Sequence, residues 1–133
     1  SRAMIFAERL HKLGLDVVYP GLESHPDHSL FASCSNEEYG FGGLFTLDMG
    51  TPERASKLMD LLQNEVRFGF IAVSLGYFDT LLTCPGASTS SEMGEDALHL
   101  AGISPSLVRF SIGLTDSVQE RWDQLAKTIK MCD

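Results

Sequence analysis

Arg109 is the residue whose type and setting most clearly suggest binding chemistry. Apolar and polar side chains alternate around it, with Val108, Phe110 and Ile112 interleaved with Arg109 and Ser111. A two-residue period predicts a strand whose apolar trio faces a core while Arg109 points to the other side. Its planar guanidinium group suits two-point binding of a carboxylate or a phosphate. The alternative is a solvated arginine on the open face of an antiparallel sheet, and periodicity alone leaves both interpretations open.

The histidines do not have the spacing of a metal site. His25 and His28 stand three residues apart, but Pro26 between them favours an extended backbone at His25, and no third ligand follows nearby. A structural metal site needs a full set of ligands. We therefore expect capping or surface hydrogen bonds from these histidines and no bound metal.

The cysteine pattern and the charge restrict the class of protein. Cys34, Cys84 and Cys132 are odd in number and form no C-x-x-C pair, which argues against a disulfide framework and fits a reducing cytoplasm. The net charge of −8 disfavours broad binding to nucleic acid or to an anionic membrane. No apolar stretch approaches the ~20 residues that span a bilayer, and no signal peptide is visible. We expect a soluble, cytoplasmic protein.

No complete set of catalytic residues stands out either. The sequence has no G-x-S-x-G motif and no paired carboxylates, and its lysines fall on predicted helices among polar neighbours. The small-residue loop from 85 to 91 suits turn and cap chemistry, with anion binding as the alternative. The residues alone therefore indicate an α/β domain with one conspicuous arginine.

Hydrophobic periodicity and turn signals predict the elements that position this arginine. A length of 133 residues with 44% hydrophobic side chains fits a single domain with its own core. Helices are predicted over 2–13, about 28–34, 52–65, 92–102 and from 117 onward, and strands over 16–19, 44–49, 70–76, 80–84 and 107–112. We expect an uncapped start for the first helix and a buried strand over 70–76. This order predicts an α+β fold, an α/β sandwich with helices over a small sheet.

Five short motifs, in order and at similar spacing, resemble the Cys/Met-metabolism family of pyridoxal-phosphate (PLP) enzymes. They are YPGL at 19–22, HPDH at 25–28, GG at 42–43, AVSLG at 72–76 and the segment from Gly102 to Gly113. The segments 68–77 and 88–92 look closest to the plant-type methionine γ-lyases of that family. The resemblance implies the small C-terminal domain of a fold-type I PLP enzyme, with a mainly antiparallel sheet. Residues 1–14 would end the interdomain helix and 15–133 would form the small domain.

The resemblance also implies roles for particular residues. Arg109 would bind the α-carboxylate of the substrate, with Ser74 close by and Thr89 in a loop that lines the same pocket. Four further residues would flank the pocket: Val73, Leu75, Cys84 and Ser90. Many members carry histidine where this chain has Cys84 and Ser90, which leaves the choice of sulfur amino acid open.

By the same resemblance, the chain would act within a longer, homotetrameric C–S lyase that uses PLP. The reaction would be γ-elimination of methionine, or the related chemistry of cystathionine γ-lyase, γ-synthase or β-lyase. The lysine that forms the Schiff base would lie in an absent large domain, so the chain alone would be inactive. The alternative is a non-catalytic regulatory or assembly domain.

Overall fold

A computed structural model describes residues 1–87 and 92–133. The described residues form ten helices and strands, in the order that the sequence predicts. The helices are α1 (Arg2–Lys12), α2 (His28–Cys34), α3 (Pro52–Asn64), α4 (Glu95–Leu100) and α5 (Val118–Met131). The strands are β1 (Asp16–Val18), β2 (Leu44–Asp48), β3 (Phe70–Ile71), β4 (Leu81–Thr83) and β5 (Leu107–Ser111).

The strands form one five-stranded sheet in the order β1-β2-β5-β4-β3. The pairs β1–β2, β2–β5 and β5–β4 are antiparallel, whereas β4 and β3 run parallel. Strand β5 therefore lies at the centre, with Thr46 of β2 opposite Arg109 on one side and Thr83 of β4 opposite it on the other. The mainly antiparallel sheet predicted from the sequence is confirmed.

Side chains of one sheet face pack against α1, α3 and α5 to form the core. Because successive side chains of a strand alternate between faces, β1, β2, β4 and β5 contribute alternate residues. The sheet supplies Val17, Phe45, Leu47, Leu82, Val108 and Phe110, and the three helices supply Ala3, Phe6, Ala7, Leu10, Ala55, Leu58, Leu62, Leu125 and Ile129. The rings of Phe45 and Phe110, paired across β2 and β5, stack with centroids 4.8 Å apart.

The helix starts follow local capping chemistry. Thr51 accepts a hydrogen bond from the Arg54 amide at the start of α3, and Ser117 forms a capping box with Glu120 at the start of α5. The expectation of an uncapped α1 is wrong, because the Ser1 hydroxyl accepts a hydrogen bond from the Met4 amide at 3.3 Å.

The predicted buried strand over 70–76 is also wrong. Only Phe70–Ile71 pairs in the sheet, and both side chains are exposed. Strand β3 is an edge strand, and Gly76 has a φ of +75°, which a strand cannot contain. Residues 72–80 therefore leave the sheet and return to the start of β4. This segment is called the substrate loop because it contains Ser74, for which the family resemblance predicts a place beside the substrate.

Candidate functional site

Arg109 lies on the sheet face opposite the helical core. The face also carries Thr46 and Thr83, the cross-strand neighbours of Arg109, of which Thr83 is buried. Neither threonine is marked as a site residue by the sequence. Both lie in predicted strands, but their place beside Arg109 depends on the pairing register, which no local signal fixes.

The guanidinium group of Arg109 is only partly satisfied. Its Nη2 donates to the backbone carbonyl oxygen of Ser74 at 2.8 Å. Its Nε is buried and has no hydrogen-bond partner among residues 1–87 and 92–133. A guanidinium group carries five N–H donors, and among the described residues only Nη2 of Arg109 has an acceptor. The geometry leaves Arg109 able to accept an anion.

Carboxylates of the described chain do not neutralise Arg109. The described ion pairs involve Arg54 and Arg121, and Arg109 takes part in none of them. Asp48 lies on the same face of β2, but its Oδ1 accepts hydrogen bonds from the Ser106 hydroxyl at 2.5 Å and the Gly50 amide at 2.8 Å. The positive charge of Arg109 thus lacks an acidic partner within the part of the chain that is described.

The acid on this face is held in its charged form. Burial raises the pKa of Asp48, but hydrogen bonds from Ser106, from the Gly50 amide and from Ser104 more than offset that effect. The net pKa therefore lies below its ordinary value. Because the Asp48 carboxylate is already hydrogen-bonded to Ser106 and to Gly50, it does not pair with Arg109. Its lowered pKa also makes it a weak base for proton transfer.

The substrate loop is attached to β5 by the two polar residues that alternate with the core trio. Arg109 bonds the Ser74 carbonyl, and the buried Ser111 hydroxyl accepts a hydrogen bond from the Gly76 amide at 3.0 Å. The Leu114 amide donates to the Phe78 carbonyl at 2.7 Å beyond the strand. Arg109 and Ser74, both expected beside the substrate, are in contact, but through the backbone carbonyl of Ser74 and not through its hydroxyl.

The middle of the loop, residues 73–78, is exposed. Ser74 is exposed, and its hydroxyl makes no hydrogen bond within the described part of the chain. Val73 and Leu75 are 63% and 55% exposed, so neither encloses a pocket with the described residues. Phe70, Ile71, Tyr77, Phe78 and Leu114 are exposed as well, which makes this edge of the sheet an apolar surface.

Three predicted pocket residues remain: Cys84, which is buried, and Thr89 and Ser90. Cys84 follows β4 and is buried, and its Sγ donates to the Pro105 carbonyl at 3.4 Å. Cys84 directly follows Thr83, which is the cross-strand neighbour of Arg109. Thr89 and Ser90 fall within 88–91, outside the described residues.

The histidines behave as local hydrogen-bonding groups. His25 Nδ1 accepts from the Asp27 amide at 3.0 Å, and His28 Nδ1 lies 2.8 Å from the Pro20 carbonyl oxygen. Among the described residues there is no cluster of histidine, cysteine and acidic side chains that could hold a metal ion. None of the helices in residues 1–87 and 92–133 has the length and apolar character of a membrane span.

The family model described as "Cys/Met metabolism PLP-dependent enzyme" matches residues 2–129. The chain belongs to this family. The methionine γ-lyase of Arabidopsis thaliana is 52% identical over 126 residues, which is 95% of this chain but 29% of that protein. The cystathionine γ-lyase of Bacillus subtilis is 31% identical over 99 residues, 74% of this chain and 24% of that protein.

Solved structures of the family share the fold. A cystathionine γ-synthase from Xanthomonas oryzae pv. oryzae has a TM-score of 0.84 at 30% identity, covering 98% of this chain and 33% of that chain. The yeast cystathionine γ-lyase has a TM-score of 0.86 at 26% identity, with the same coverage. The α+β fold is thus that of a segment of fold-type I PLP enzymes. The chain spans a third or less of the length of these relatives.

The lysines of the chain do not fit a PLP site of its own. PLP enzymes hold the cofactor as a Schiff base, for which the lysine amine must be deprotonated by a desolvated or cationic setting. All four lysines, Lys12, Lys57, Lys127 and Lys130, are exposed on helices or beside them. The family is PLP-dependent, and the described residues of this chain offer no lysine in a setting suited to the Schiff base.

Proposed function

We propose that this chain is the substrate-carboxylate-binding domain of a longer PLP-dependent C–S lyase, with methionine or a related sulfur amino acid as the substrate. The observation that carries the proposal is the state of Arg109. Among the described residues no acid neutralises its charge, and of its donors only Nη2 has an acceptor, the Ser74 carbonyl. A substrate α-carboxylate would supply the missing negative charge and acceptors for the other N–H groups that it can reach.

The arrangement around Arg109 suits orientation of an amino acid. The bond from Nη2 to the Ser74 carbonyl fixes one edge of the guanidinium plane and leaves the others for the ligand. A carboxylate held at two points has a defined direction, which sets the position of its Cα relative to the reacting group. PLP, held by the rest of the longer protein, would supply the electron sink for the charge that develops at Cα.

The substrate class and the setting are further parts of the proposal. The exposed Ser74 hydroxyl, Thr89, and the flanking Val73, Leu75, Cys84 and Ser90 would shape the remainder of the pocket once the longer protein covers this face. The 52% identity to the Arabidopsis methionine γ-lyase supports γ-elimination of methionine to a thiol, 2-oxobutanoate and ammonia. A cytoplasmic homotetramer is the proposed form of that longer protein.

Two alternatives remain as competing proposals. The 31% identity to a cystathionine γ-lyase favours cystathionine as a second substrate candidate. The exposure of all four lysines favours a non-catalytic regulatory or assembly role if the chain acts alone. In either case Arg109 would still be an anion-binding residue.

The direct test of the proposal is Arg109→Ala in the full-length protein that contains this chain. We expect kcat/KM for methionine to fall by about 10²-fold, mainly through KM, because a charge-assisted two-point contact is lost. Arg109→Lys, which keeps the charge but not the fork, should restore only part of the loss. Arg9→Ala is the matched control, since Arg9 lies over the Trp122 ring of α5, 5.4 Å from its centroid, on the helical side.

A second measurement separates the lyase domain from the non-catalytic domain. The purified 133-residue chain, mixed with PLP, should show no specific aldimine absorption band beyond that of free lysine with PLP. A strong, stoichiometric band would contradict the proposal that PLP is held by the rest of the longer protein. Near-wild-type kinetics of Arg109→Ala in the full-length protein would contradict the carboxylate-binding role.

A further inference from the structure

Arg121 is a buried arginine in α5 that the proposed binding site does not use directly. It is 6% exposed. Its Nη1 donates to the Arg67 carbonyl at 2.7 Å and to Gln124 Oε1 at 3.2 Å, and its Nη2 donates to the Thr115 hydroxyl at 2.9 Å. Removing a partner from a buried charge leaves that charge uncompensated, so the segments that carry the partners are costly to separate from it.

Two acids neutralise Arg121, and one of them belongs to the substrate loop. Its Nη2 lies 3.0 Å from Asp116 Oδ2 and 3.5 Å from Asp79 Oδ1. Asp79 Oδ1 also accepts from the Thr115 hydroxyl at 2.7 Å and from the Thr80 amide at 2.9 Å. Arg121 therefore holds the last part of the substrate loop against the turn between β5 and α5.

The same end of the loop lies in direct contact with the backbone after β5. The Gly113 amide donates to the Thr80 hydroxyl at 3.0 Å, and a Cβ at position 113 would come within 2.3 Å of the Asp79 carbonyl carbon. At its middle, the loop is attached through the Ser74 carbonyl and the Gly76 amide. Movement at Asp79 would thus be transmitted within a few residues to the group that orients Arg109.

We propose that Arg121 is a positioning residue for Arg109. By fixing Asp79 it fixes the substrate loop, and the loop presents the Ser74 carbonyl that sets the plane of the Arg109 guanidinium group. The inference rests on the proposed function, because it assigns Arg121 an effect on carboxylate binding. It differs from a general stabilising role, in which loss of Arg121 would destabilise the fold without affecting Arg109 in particular.

The choice of arginine at this position follows from its geometry. One planar fork reaches a carbonyl, an amide oxygen, a hydroxyl and two carboxylates, while its face lies 5.8 Å from the centroid of the Phe68 ring. A lysine ammonium has three donors on a flexible stem and cannot serve all these partners at once. Arg121→Lys should therefore keep the charge and loosen the loop.

The first arm of the test measures the loop itself, in the 133-residue chain. Amide hydrogen exchange of Gly76 reports local opening of the loop, since that amide is bonded to Ser111. Exchange should become about 10-fold faster in Arg121→Lys and in Asp79→Asn. Leu125→Val, a core change on the same helix, is the control and should leave Gly76 exchange unchanged. Equal exchange in wild type and Arg121→Lys would overturn the proposal, as would equal acceleration in the control.

The second arm measures binding in the full-length protein. Arg121→Lys should raise KM about 10-fold with kcat within about 2-fold, whereas Leu125→Val should change neither. In an Arg109→Ala background, Arg121→Lys should cause no further rise in KM, because the two residues act through one contact. Additive effects would overturn the proposal. If Arg109→Ala alone leaves KM unchanged, the proposed function fails, and the Gly76 result still decides whether Arg121 holds the loop.

Discussion

The substitution Gly113→Ala tests whether the substrate loop is held by a close backbone contact. A Cβ at this position would come within 2.3 Å of the Asp79 carbonyl carbon, 2.5 Å of the Phe78 carbonyl oxygen and 2.6 Å of Asp79 Cα. All three are backbone atoms, so no side chain can rotate away. The loop must instead move away from the end of β5.

The size of the effect follows from the contacts that such a shift disrupts. Overpacking in a tightly packed site costs about 1–3 kcal/mol. The bonds from Gly113 to the Thr80 hydroxyl and from Leu114 to the Phe78 carbonyl would lengthen, at about 1 kcal/mol each. Because these terms overlap, we expect the free energy of unfolding to fall by about 3 kcal/mol and Tm by about 10 °C.

Urea unfolding followed by the fluorescence of Trp122, the sole tryptophan, measures the loss. Gly43→Ala is the matched control. Gly43 pairs through its carbonyl with Ile112, and a Cβ there would meet only the Ile112 carbonyl oxygen, at 3.9 Å. The control should change stability by less than about 0.5 kcal/mol. A Gly113→Ala loss below about 1 kcal/mol, or equal to that of the control, would refute the close-contact argument.

Three further predictions concern the core, one acid and one cap. Phe110→Ala, in the centre of the sheet, should lower the free energy of unfolding by about 3–5 kcal/mol in denaturant titrations. Asp48→Asn should lower the free energy of unfolding by about 1 kcal/mol at pH 7. Because the pKa of Asp48 is lowered in the folded state, this difference from wild type should be complete above about pH 4. It should disappear as the pH falls through the folded pKa. A pH-independent difference would contradict the hydrogen-bond account of Ser106. Ser117→Ala should cost about 1 kcal/mol through its capping box with Glu120, and no measurable loss would contradict that cap.

Helices and strands that are determined by neighbouring residues were predictable from the sequence. Thr51 and Ser117 specify helix starts through bonds to amides three residues ahead, and the alternation around Val108 and Phe110 specifies a strand. The run 70–76 predicts a buried strand because its apolar side chains suit one, yet the prediction is wrong beyond Ile71. At a sheet edge, with Gly76 in the left-handed region, the same side chains are exposed.

The candidate site was predictable only in part. Arg109 stood out as a polar residue within an apolar alternation, and family resemblance added Ser74. The Thr46 and Thr83 neighbours, the Ser111 bond to Gly76 and the contact through the Ser74 carbonyl all depend on how distant segments meet. Pairing register and loop path are properties of the tertiary fold, for which a single sequence gives no local signal.

The substrate loop is also the crossover of the parallel pair β3–β4. Parallel neighbours require the chain to return along the length of a strand before it can pair again, and such returns usually take a dozen or more residues. Here residues 72–80 make the whole return without a helix. A deletion in this loop would therefore break the strand pairing as well as the site. Insertions, by contrast, leave the return long enough and should be tolerated better than deletions of the same size.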